Sequence, residues 1–92
     1  MKVIDIDRLK IEENHIHYIK CYFGCAILMD KFHKIKRNDL KFSIEYKPMG
    51  DPDIKIDFLT PPDFPVADII PKLKEKIQKM DNDGILSALH NK

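Results

Sequence analysis

Between residues 9 and 18 apolar and polar positions alternate with a period of two. Leu9-Lys10-Ile11-Glu12 and His15-Ile16-His17-Tyr18 flank the dipeptide Glu13-Asn14, and Asn tolerates the positive φ that a two-residue hairpin turn needs. With Glu12 set opposite His15, the four apolar residues share one face. Lys10, Glu12, His15 and His17 share the other, as a half-buried antiparallel pair requires. Ile4 and Ile6 extend the first strand, with a kink at Asp7-Arg8 where the alternation slips.

The period then lengthens. Cys21, Gly24, Cys25, Leu28, Phe32 and Ile35 follow one another at steps of 3, 1, 3, 4 and 3, the spacing of one helix face. Tyr22, Ala26 and Met29 widen the stripe. Basic residues gather toward its C-terminal end, where the helix dipole favours them, and Asn38-Asp39 closes it. The spacing predicts a helix over 21–37. A competing reading starts that helix at Asn14 as N-cap and deletes the second strand.

Alternation returns in Leu40, Phe42, Ile44 and Tyr46 and again in Ile54, Ile56 and Phe58. The turn-rich Pro48-Met49-Gly50-Asp51-Pro52 joins the two runs, predicting a second hairpin. Its outward residues, mostly Lys against Asp, are expected to pair across the strands. Three prolines between Thr60 and Pro65 exclude regular structure there. Ile69, Ile70, Leu73, Ile77 and Met80 then mark a last helix, starting around Val66 to Asp68 or reset at Pro71 and stopped by Asp81-Asn82-Asp83-Gly84. Ile85, Leu86, Ala88 and Leu89 suggest one or two more helical turns. The fold expected is a single α+β domain over residues 1–92, in two layers. A four-stranded antiparallel sheet carries two helices on one face, in the order ββαββα plus a short helical tail.

Composition narrows the function. The chain has 92 residues, 43% of them hydrophobic, and a net charge of +1, enough apolar matter for a core but no bulk attraction for nucleic acid or anionic lipid. Two cysteines four residues apart are a poor disulfide framework. Acidic residues interrupt the N-terminal stretch where an export signal would be apolar. The longest apolar run, 18–29, is broken by Lys20 and Gly24 and is too short to span a bilayer. A cytoplasmic location is the expectation. Ile and Lys number 14 each, a compositional bias that supplies lysines without functional demand.

No cofactor, catalytic residue or metal ligand is assigned. His15 and His17 with Glu12 make a generic pair of imidazoles and a carboxylate lacking the distal ligand a zinc site needs. Cys21 and Cys25 fit the apolar helix face as small hydrophobes. Asp81, Asp83 and Gly84 suggest a calcium loop, but Lys79 and His90 stand where it requires acids. Charge is uneven: residues 31–47 carry six basic and two acidic groups, residues 48–71 one and five. Lys31, Lys34, Lys36 and Arg37 are therefore the candidate contacts to nucleic acid, the alternative function. The favoured reading is a small protein-interaction module (a regulator, adaptor or inhibitor-type protein) rather than an enzyme. Its contact surface, for a protein partner or a second copy in a homodimer, is the open sheet face at Lys10, Glu12, His15, His17 and Ile19.

Overall fold

In the computed structural model, residues 1–13 and 16–89 are described. Four strands, β1 (Lys2–Glu12), β2 (Ile19–Met29), β3 (Ile35–Glu45) and β4 (Asp53–Phe58), precede one helix, α1 (Val66–Asn82). The strands form an antiparallel meander in the order β1-β2-β3-β4, and α1 lies across one face of it, touching β1 and β4.

The four-stranded antiparallel sheet is therefore as expected, but the order is ββββα. The helix expected over 21–37 is replaced by β2, a hairpin turn and the start of β3. Asp30 makes that turn. Its Oδ1 accepts from the backbone N–H of Phe32 at 2.8 Å and of Lys34 at 3.0 Å, while its own N–H donates to the Lys34 carbonyl. His33 takes a φ of 64°, so the chain reverses where helical spacing had implied continuity. The N–H of Lys34 first, and that of Phe32, hold the Asp30 carboxyl below its ordinary range.

The first hairpin also differs. β2 begins at Ile19, and the register pairs Glu12 with Cys21, Ile11 with Tyr22 and Lys10 with Phe23. Ile16, His17 and Tyr18 belong to the connection, not to a strand. The two-residue turn at Glu13-Asn14 thus gives way to a longer loop, of which Asn14 and His15 lie outside the described residues. The kink at Asp7-Arg8 is a bulge. The register shifts between Asp7 and Lys10, and Arg8 has a φ of 52°.

The second hairpin keeps its expected alternation. In its register Lys41 faces Asp57, but Ser43 faces Lys55 and Glu45 faces Asp53, so charge pairing across it is weaker than expected. After α1 the chain forms turns rather than more helix, though Leu86 is still buried.

The core lies between sheet and helix. Ile69, Leu73, Ile77 and Met80 of α1 pack on Ile6, Ala26, Leu28, Leu40, Phe42, Ile44 and Ile54, and Tyr22 stacks on Phe42 with ring centroids 5.2 Å apart. Each such aliphatic side chain stabilises the fold by about 1.5–3 kcal/mol. The proline-rich crossover is pinned by the Lys36–Asp63 ion pair at 2.9 Å and by Phe64, whose ring meets Phe58 edge-on.

Candidate interaction surface

Because side chains alternate along a strand, the residues of β2 that do not face α1 line the opposite face of the sheet. These are Ile19, Cys21, Phe23, Cys25, Ile27 and Met29. Their register partners share that face: Glu12, Lys10, Asp7, Asp5 and Lys2 on β1, and Glu45, Ser43, Lys41, Asp39, Arg37 and Ile35 on β3. Among the described residues the one helix lies on the other side. The open face is therefore an apolar ridge along β2 between two charged rows, ending in the 52% exposed Ile35.

Two ion pairs cross the ridge. Lys41 Nζ meets Glu12 Oε2 at 3.0 Å and also sits 5.6 Å from the centroid of the Phe23 ring. Arg37 Nη1 lies 3.7 Å from Asp7 Oδ2. All four side chains are more than a third exposed, so each pair contributes at most about 1 kcal/mol and is easily rearranged. The second oxygen of Asp7, Oδ1, is buried and accepts no hydrogen bond. Cys25 is buried beneath this row. Burial first, then Asp39 and Asp7, push its thiol pKa up, which keeps it protonated and opposes nucleophilic chemistry.

The residues singled out from sequence are partly brought together. Lys10, Glu12 and Ile19 lie on the open face. His17 is exposed in the loop beside it, and His15 lies outside the described residues. The basic candidates are dispersed. Lys31 and Lys34 flank the β2–β3 turn, Lys36 faces the helix side with Asp63, and Arg37 lies on the open face with Asp7. At the turn itself Phe32 is 70% exposed with Lys31 Nζ 5.3 Å from its ring centroid.

Sequence reasoning missed Phe23, Cys25, Ile27 and Met29 as surface residues by placing them on a helix. The usable signal was the nearly unbroken apolar run of β2, which fits a strand apolar on both faces. Among the described residues no three His, Cys, Asp or Glu side chains are grouped to hold a metal ion, and no helix is long and apolar enough to cross a membrane.

A family model matches residues 1–82, and the chain belongs to the BB_0187 family. Comparison with curated proteins and with solved structures found no match.

Proposed function

We propose that this protein is a small protein-interaction module whose contact surface is the open face of its sheet. One observation carries the reading: an apolar ridge six side chains long, Ile19 to Met29, runs down the middle of a face that α1 does not cover. Contiguous apolar surface rimmed by charge is the composition of a binding patch. The predicted contacts Lys10, Glu12 and Ile19 belong to it, and His17 flanks it. Affinity capture from the native host with the tagged full chain tests the reading. Phe23→Lys and Ile19→Lys should each abolish capture while leaving the melting temperature unchanged. Capture of the same partner by both variants would refute it.

A second reading is favoured by the β2–β3 turn. An aromatic ring left 70% exposed between Lys31 and Lys34 suits a nucleobase stacked on the ring beside a phosphate on lysine. Retardation of single-stranded RNA or DNA that weakens with salt, and disappears in Phe32→Ala and in the double variant Lys31→Glu/Lys34→Glu, is the expected outcome on this reading. Retardation unchanged by both would remove it.

A further inference from the structure

The partner that fits the open face best is a second copy of this chain. We infer that two copies pack face to face through β2, about a two-fold axis that crosses the strands at the level of Gly24. This rests on the interaction reading above and names its partner.

Gly24 is the midpoint of β2 (Ile19–Met29), so an axis there sets each residue of the ridge against a residue equally far on the other side. Ile19 then meets the partner's Met29, Cys21 meets the partner's Ile27, and Phe23 meets the partner's Cys25. Each small thiol is opposed by a large apolar side chain. That alternation lets two sheet faces interdigitate at the usual spacing of about 10 Å.

The charged rows support the same arrangement. Lys10 is level with Phe23, and Asp7 with Cys25; on the other flank Lys41 is level with Phe23, and Asp39 with Cys25. The axis therefore places Lys10 against the partner's Asp7 and Lys41 against the partner's Asp39, giving four opposite-charge contacts around the two-fold. The buried Asp7 Oδ1 that accepts no hydrogen bond within the chain gains an ammonium donor. One like-charged contact remains, Glu12 with the partner's Asp5. Lys41 and Lys76 already neutralise those two acids within each chain.

The area is sufficient. Strands of 11 residues at about 3.3 Å each, three of them about 4.8 Å apart, present roughly 500 Å² per copy, or about 1,000 Å² for the pair, the lower bound for a specific interface.

Sedimentation equilibrium on the full chain, at micromolar concentrations and moderate salt, tests the inference. The expected mass is twice the 10.8 kDa of the chain, falling to the single-chain value in Phe23→Lys with its thermal melt unchanged. The charge contacts allow a sharper arm. Asp39→Lys alone and Lys41→Asp alone should each be monomeric, because each sets like charges against each other twice. An equimolar mixture of the two should dimerise, because every contact is then opposite in sign. A wild-type chain that remains monomeric throughout overturns the second copy; the interaction reading is then decided separately, by whether Phe23→Lys loses a captured protein. A dimer that survives Phe23→Lys overturns this face, and a mixture that stays monomeric beside a dimeric wild type overturns the axis.

Discussion

Gly24 shows how little room the middle of this sheet has. A Cβ built there would stand 2.9 Å from Ile6 Cγ2 and 3.3 Å from Leu9 Cδ2. Ile6 is a buried β-branched side chain with few rotamers to retreat into. The close approach of β1 over β2 therefore depends on the missing side chain, not on an unusual backbone angle. Gly24→Ala should destabilise the protein by about 1–3 kcal/mol through overpacking. Urea unfolding followed by circular dichroism checks this, and a stability equal to wild type would show that β1 can move aside. The residue could be picked out from sequence but its reason could not. On a helix face Gly24 reads as a weak point, whereas on β2 it is the contact that lets Ile6 reach the core.

At the scale of elements, legibility followed the number of buried faces. β3 and β4 could be read because one face packs on α1 while the other meets solvent, which gives clean alternation. α1 could be read because its apolar residues form one stripe against the core. β2 could not, since Tyr22, Ala26 and Leu28 face the helix while Phe23, Ile27 and Met29 face outward. A strand apolar on both sides contains positions three and four apart that mimic a helix. The same misreading hid most of the candidate surface: Lys10, Glu12 and Ile19 were recognised from alternation, and the ridge between them was not. Within α1, Pro71 sits six positions in and the helix runs through it, although proline there removes a hydrogen bond to the previous turn and crowds its carbonyl. Its ring is exposed, so little packing depends on it. Pro71→Ala should therefore raise stability by about 1–3 kcal/mol, read as a higher thermal midpoint. A lowered midpoint would mean that the proline chiefly stabilises by restricting the unfolded chain.

Over the whole molecule, a single helix closes one sheet face, so the ties between the two layers matter more than in a domain with helices to spare. The Tyr46 hydroxyl, just beyond β3, donates to Asp81 Oδ1 at 2.9 Å near the end of α1. Burial first, then the hydrogen bond to Asp81 and its charge, raise the Tyr46 pKa well above its ordinary value. Burial also raises that of Tyr22. For an acid kept neutral by the fold, the unfolded chain ionises first, at about pH 10. The stabilisation is therefore complete below that pH and is lost as pH rises from there toward the folded value. Tyr46→Phe keeps the ring and removes both the bond and the ionisation. At pH 7 it should cost about 1 kcal/mol for the lost hydrogen bond. As pH rises past about 10, wild type should weaken faster than the variant, because only wild type has a hydroxyl to ionise at this position. Urea unfolding of the two proteins at neutral and at alkaline pH should accordingly show a gap that narrows. A gap that stays constant would mean that the hydroxyl ionises equally well in the folded protein, and that Asp81 does not hold the helix to the sheet through it.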